Sequence, residues 1–292
     1  MSRVLVTGAT GFIGRHALPA LRERGYEVHA VGSADADLLD PATAASLMDR
    51  VRPSHLLHFA WYAVPRRFWT APENAAWVEA SIRLVRAFAD AGGRRATLAG
   101  SCAEYDWTAG EQPGRLSEAT TPLVPATYYG TAKNALRAVA EGYAARREVS
   151  FSWGRIFFVY GPHEHPDRLV SSLARALLRG EPAPTSEGSQ RRDFLHARDV
   201  ADAFVALLDS GVEGPVNIGS GEAVAVRDVV AAVADAAGRP DLVRWGELPQ
   251  RPGDPPLLEA DARRLLDEVG WRPGIALADG IRETVEWWKA SM

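Results

Sequence analysis

Residues 3–14 read Arg3-Val4-Leu5-Val6-Thr7-Gly8-Ala9-Thr10-Gly11-Phe12-Ile13-Gly14, and this stretch decides the fold. The aliphatic, β-branched run predicts a buried strand over 3–7, and the pattern after the glycines predicts a helix over 15–24 that stops at Gly25. Between them stands the spacing G-x-x-G-x-x-G. In a strand–turn–helix unit Gly8 permits the tight turn, Gly11 lets a pyrophosphate approach the backbone, and Gly14 allows close helix–strand packing. The first amides of the helix then face the phosphates. The same glycines can form a turn with no ligand, but the strand before them and the helix after them favour nucleotide binding.

Outward from this unit the alternation continues, with strands predicted at 27–31, 55–59, 95–99 and 150–157 and helices at 41–50, 73–91 and 127–146. Such an order implies an α/β fold with a Rossmann-type doubly wound parallel sheet and ligands at the carboxyl ends of its strands. After Pro162 the content is mixed: helices at 168–179, 197–209 and 226–238, a Pro/Gly/Ser-rich loop at 180–189 and a strand at 215–218. A Pro/Gly-rich loop at 242–256, expected to face substrate, precedes helices at 260–269 and 277–289. The expected division is a dinucleotide-binding domain of residues 1–157 with about 194–218, and a smaller α/β C-terminal substrate-binding domain of 158–193 and 219–292.

The 292 residues are 47% hydrophobic and 24% charged with a net charge of −4, which suits a globular chain without a basic surface, so nucleic acid is not an expected partner. Cys102 is the single cysteine and excludes an intrachain disulfide. No apolar run approaches the ~20 residues that span a bilayer, and the chain enters a strand at once with no leader pattern. No membrane partner and a cytoplasmic location are expected. No metal is expected either.

The second informative stretch is Tyr128-Tyr129-Gly130-Thr131-Ala132-Lys133, where a helix places a phenol and an ammonium one turn apart. A phenol with a pKa of about 10 becomes a useful acid or base at neutral pH when a nearby cation stabilises the phenolate. On an ordinary surface helix the same pair has no such role, so the reading depends on its company.

That company is broad: T-G-A-T-G-F-I-G at 7–14, D-L-L-D at 37–40, H-F-A at 58–60, G-S-C-A-E-Y at 100–105, Y-G-T-A-K at 129–133, R-I-F-F-V-Y-G-P at 155–162, R-D-F-L-H at 192–196 and R-P-G-D at 251–254. In these blocks the chain resembles the extended short-chain dehydrogenases/reductases, the NAD-dependent epimerase/dehydratase family that modifies nucleotide sugars. The resemblance implies a catalytic triad of Ser101, Tyr129 and Lys133, in which Ser101 orients the reacting oxygen and Lys133 also reaches the nicotinamide ribose. It further implies cofactor contacts from Gly8, Thr10, Gly11, Phe12, Ile13, Gly14, Asp37, Leu38, Phe59 and Ala60. Arg192 and Arg251 match the phosphate-binding arginines, with surface ion pairs to Asp193 and Asp254 as the alternative. A homodimer through the helices 73–91 and 127–146 is also implied.

Departures from the family pattern shape the expected reaction. Sugar dehydratases carry Asp and Glu after the catalytic Thr; here Cys102 and Ala103 stand there, so 4,6-dehydration is disfavoured. Glu104 is shifted by one, which on a strand turns a side chain to the opposite face. Cys102 has no histidine in its motif to activate it and reads as a packed thiol beside the substrate. Phe158 replaces an Asn common in epimerases and dehydratases, as in 4-ketoreductases. After Val31, where an NAD-specific chain usually has Asp or Glu, stand Gly32 and Ser33. Ser33 or Arg15 then becomes a partner for a 2′-phosphate. A loop bend that carried Asp35 back to the ribose would restore NAD.

The sequence therefore predicts an NAD(P)(H)-dependent nucleotide-sugar oxidoreductase, with NADP(H) favoured over NAD(H), reducing a 4-keto (6-deoxy) NDP-hexose. A 4-epimerase with tightly held NAD is the alternative. A dinucleotide-sensing regulator without turnover is a third, opposed by the intact triad. The aromatic stretch Phe59-Ala60-Trp61-Tyr62 with Phe68-Trp69 either walls a sugar site or packs in a core or interface.

Overall fold

Val4, Leu5 and Val6 are fully shielded from solvent because the strand Arg3–Thr7 lies inside a sheet, between Glu27–Val31 and His55–His58. The computed structural model describes residues 2–109, 114–250 and 252–292. Its main sheet runs 214–218, 150–156, 95–101, 55–58, 3–7 and 27–31, and the neighbouring strands pair in parallel throughout. A parallel sheet covered on both faces needs apolar side chains on both, which explains the unbroken aliphatic runs.

Helices α1 (Gly14–Glu23), α2 (Thr43–Val51), α3 (Glu73–Asp90) and α4 (Tyr128–Arg146) follow the first four strands. Then come α5 (Leu169–Leu178), α6 (Ala197–Asp209), α7 (Val226–Ala237) and α8 (Leu277–Ser291). On one face Leu47, Leu84, Phe88 and Leu136 from α2, α3 and α4 pack over the sheet with Trp153. On the other, Ala17 and Leu21 of α1 and Val200 and Phe204 of α6 cover Val4, Val6 and Leu57. Outside the sheet α5, α7 and α8 build a third core from Val170, Leu173, Val229, Val233 and Ile281.

The chain reverses direction across the sheet between the strands 3–7 and 55–58, where an open α/β sheet forms its ligand crevice. Three segments differ from expectation. The strand predicted at 95–99 continues to Ser101, because Gly100 and Ser101 pair with Arg155 and Ile156. The strand predicted at 150–157 ends at Ile156, and Phe158–Tyr160 pairs instead with Phe194–His196. The helix predicted at 260–269 is shorter, a π-helical turn at Arg264–Glu268, and an unpredicted strand, Leu257–Ala260, precedes it and takes its first residue. That strand pairs with Arg115–Leu116 and Arg191–Arg192, partners remote in sequence that no local pattern at 257–260 announces.

Candidate active site

Thr127 caps α4, its hydroxyl accepting the Gly130 amide at 3.1 Å, so the helix starts where Tyr129 and Lys133 share a face. Gly130 is required by the close approach of the next turn, since a Cβ there would stand 2.1 Å from the Ala103 carbonyl oxygen. The absent side chain lets α4 press against the turn after strand 95–101 and brings Tyr129 to Ser101. The Ser101 hydroxyl accepts the Ala103 amide at 3.2 Å, and its nearness to the Tyr129 phenol favours the phenolate. Burial works more strongly in the other direction and pushes the Tyr129 phenol above its ordinary value.

Lys133 is buried, and its Nζ donates to the Ala99 carbonyl at 2.8 Å while standing 3.8 Å over the Trp61 ring and 5.9 Å from the Tyr129 ring. Burial lowers this ammonium to about 7. The expected lowering of the phenol by Lys133 is thus not what governs Tyr129 here; desolvation of both groups dominates.

Aromatic rings enclose Tyr129: Phe68 at 4.9 Å, Trp69 at 5.9 Å and Trp61 at 6.3 Å, each edge-on. The stretch 59–69 thereby walls the candidate site. Asn74, which the motif reading missed, fastens this wall. Buried in the first turn of α3, it accepts from the Trp61 indole at 2.9 Å and donates to the carbonyls of Phe68 and Ala71 at 2.8 and 2.9 Å. Its position at the start of a predicted helix was the only signal in the sequence.

The glycine turn fits a dinucleotide. A Cβ on Gly8 would meet the Ala60 amide at 2.7 Å, and one on Gly14 would meet the Gly8 carbonyl oxygen at 2.2 Å, so backbone crosses backbone at the crevice. α1 begins at Gly14 with no side-chain cap; its Arg15 and His16 amides already donate to the Gly11 and Ile13 carbonyls, so the amides of the turn just before them are the ones left for an anion. Thr10, Gly11, Phe12 and Ile13 lie on this turn, and Phe59 packs edge-on to Phe204 at 4.9 Å. Leu38 is a core residue beside Leu47 and Met48, and Asp37 accepts the Leu39 amide at 2.9 Å. Arg15 turns back onto the carbonyls of Thr10 and Gly11, at 2.6 and 3.2 Å.

Ser33 is exposed, and a carboxylate meets its neighbour Gly32. The Gly32 amide donates to the Asp35 carboxylate at 2.8 Å, so a carboxylate does return to the end of the second strand. A turn of three residues closes the gap that the linear pattern left open.

On the substrate side Arg192 is buried, with its guanidinium 5.5 Å from the Phe158 ring and its charge acting on Cys102. It donates to Asp254 at 2.7 Å and not to Asp193. Asp193 is instead a structural knot that accepts the Ser220, Gly221 and Ala260 amides. Burial pushes the Cys102 thiol up to about 12, the state of an inert packed thiol. Arg251 lies outside the described residues. Among the described residues no group of three or more His, Cys, Asp or Glu side chains forms a metal centre, and no helix is long and apolar enough to cross a membrane.

With the crevice, the glycine turn and the Ser101–Tyr129–Lys133 cluster in one structure, the class is a nucleotide-binding α/β enzyme. A profile of the NAD dependent epimerase/dehydratase family matches residues 4–219, and the chain belongs to that family, whose members are extended short-chain dehydrogenases/reductases. It is 30% identical to the UDP-glucose 4-epimerase of Mycolicibacterium smegmatis over 98% of both chains. Among solved structures it is similar to the Thermus thermophilus UDP-glucose 4-epimerase complexed with NAD, with a TM-score of 0.87 and 27% identity over 99% of this chain and 100% of that one. MoeE5 in complex with UDP-glucuronic acid and NAD matches with a TM-score of 0.84 and 33% identity over 100% of both chains.

Proposed function

We propose that this protein is an NAD-dependent nucleotide-sugar 4-epimerase acting on a UDP-sugar. The observation that carries this reading is the return of the Asp35 carboxylate to Gly32 at 2.8 Å, which supports NAD over NADP. The full-length similarity to a UDP-glucose 4-epimerase and to NAD complexes supports the same reaction. In this reading residues 158–193 and 219–292 hold the nucleotide sugar, and Arg192, steadied by Asp254, meets its diphosphate.

When bound, NAD supplies the acceptor and donor of hydride at C4. Tyr129 takes the proton of the C4 hydroxyl and returns it after the sugar has presented its other face. Ser101 holds the reacting oxygen beside the phenol. Lys133 supplies positive charge behind Tyr129, and the Trp61, Phe68 and Trp69 wall keeps water from the proton transfer.

Phe158 favours a second reading, a 4-ketoreductase that runs half of this cycle with a reduced cofactor. The assembled triad opposes a regulator without turnover, which needs only the glycines. Denaturing the purified protein and identifying the released nucleotide, then incubating the native protein with UDP-glucose and following the C4 epimer by NMR, tests the proposal. Released NAD and epimer formation are expected; released NADP, with turnover only of a 4-keto sugar and NADPH, would move the assignment to the reductase.

We also propose a homodimer through α3 and α4, supported by an apolar groove between Ile82, Val85, Val139 and Tyr143 in which Val139 is half exposed. Sedimentation at micromolar concentration decides it, and a monomer would refute it.

A further inference from the structure

We propose that Glu104 is a positioning residue of the catalytic centre: paired with Arg155 below Ser101, it fixes the strand end that carries the serine and sets a fixed negative charge toward Lys133. The proposal rests on the reading of Ser101, Tyr129 and Lys133 given above.

Glu104 is fully buried, and the chain turns inward after Ser101 to place it there. One carboxylate oxygen accepts the Ser101 amide at 2.8 Å and the Trp153 indole at 2.9 Å, and the other accepts Arg155 Nε at 2.7 Å. Lys133 grips the same strand two residues earlier, at the Ala99 carbonyl, with its ammonium 6.0 Å from the Trp153 ring whose indole nitrogen meets Glu104. Gly100 makes this possible, since a Cβ there would lie 2.1 Å from the Trp153 nitrogen and 2.6 Å from the Glu104 oxygen. Glu104 and Lys133 therefore hold one strand end from two sides.

The charges converge on the same point. Around Lys133 stand Glu104 from the turn 102–104, His58 from the third strand and Tyr129 from its own helix, with Arg155 behind Glu104. His58 is neutral at working pH, held down to about 3 by burial and by Lys133. Burial lowers Lys133, and Glu104 is the charge that opposes this. Arg155 extends the network to the Tyr105 hydroxyl at 2.9 Å, and that hydroxyl donates to Asn217 at 2.8 Å. Removing a carboxylate that served the fold alone would lower stability without moving the alkaline limb of the reaction's pH profile or kcat at unchanged KM.

The chain has only two lysines, Lys133 and Lys289, so protein labelled at lysine side chains gives two resolvable signals by NMR. Replacing the charge in Glu104→Gln is expected to lower the titration midpoint of Lys133 by about one pH unit, leaving the exposed Lys289 unmoved. With substrate, kcat falls about tenfold with little change in KM, and the alkaline limb of the profile moves to lower pH. An unchanged Lys133 midpoint in a folded Glu104→Gln protein overturns the proposal. Should that variant fail to fold, Arg155→Gln carries the same test with opposite sign, because it frees the Glu104 charge and raises the Lys133 midpoint; no movement there overturns the proposal equally. The titration needs no substrate, so its outcome stands even if the epimerase reading fails.

Discussion

The Asp35 carboxylate accepts the Gly32 backbone amide at 2.8 Å and so stands at the carboxyl end of the second strand. A phosphate on the adenosine ribose there would face a like charge, whereas two ribose hydroxyls would find an acceptor. Asp35→Asn keeps an acceptor for the amide and removes the charge. The variant is expected to bind NAD about tenfold more weakly, a loss of ~1.4 kcal/mol, and to gain relative affinity for NADP. Calorimetric titration with both cofactors checks this, and an unaltered ratio would remove Asp35 from the cofactor site. Gly32→Asp is a poorer probe, since its Cβ would lie 2.5 Å from the Thr10 hydroxyl oxygen.

Removing only the phenolic oxygen in Tyr129→Phe leaves the ring among Phe68, Trp69 and Trp61. Turnover should drop by roughly 10²–10⁴ with cofactor affinity retained, the scale of a lost general acid–base. Thermal unfolding should change little. Near-normal turnover would show that another group moves the proton.

Asn74→Ala deletes three hydrogen bonds from a fully buried side chain and leaves the Trp61 indole and the Phe68 carbonyl without that partner, while the Ala71 carbonyl keeps the residue-74 backbone amide. A stability loss of about 2–4 kcal/mol is expected, with a raised KM because the aromatic wall loses its fastening. Denaturant unfolding alongside steady-state kinetics measures both. A stability loss with unchanged KM would confine Asn74 to the fold.

Glu164 is buried, its carboxylate bonded by the Ser171 hydroxyl at 2.8 Å, and burial raises it from 4.5 to about 7. The folded state therefore holds a proton that the unfolded chain releases between these values. Stability falls as pH rises from about 4.5 through 7, by up to ~3 kcal/mol from this group. Glu164→Gln should match the parent near pH 4.5 and exceed it at pH 8. Unfolding curves at the two pH values provide the comparison, and a constant difference between the proteins would contradict the assignment.

Two buried histidines, His58 and His196, and the half-buried His16 act with the opposite sign. Burial is the main cause that holds His58 down to about 3 and His16 and His196 to about 4, so each resists protonation in the folded state. Their contribution is complete above the unfolded value of about 6.5 and is lost as pH falls toward 4. In the Glu164→Gln background, which removes the opposing carboxyl, the melting temperature should fall across that window more steeply than in the parent, and identical profiles with His58, His16 and His196 each replaced would show the three rings to be solvated.

Strand, glycine turn and helix at 3–24 were legible in the residues because their signals are local: aliphatic run, glycine spacing, helical period. The spacing of Tyr129 and Lys133 was legible for the same reason, since one helix carries both. Where distant segments compete, the linear pattern misled. Residues 257–260 form a strand because Arg115–Leu116 and Arg191–Arg192 offer it partners. Arg192 finds Asp254, across 62 residues, while the adjacent Asp193 caps three amides of other segments. Glu104 lies under Ser101 because the strand is followed by a tight turn, and Asp35 returns to Gly32 through another. The local code selected the elements and the residues able to do acid–base chemistry. Which charges meet, and which of them lose their water, was decided by packing, because desolvation and hydrogen bonding between remote segments exist only once the layers have closed.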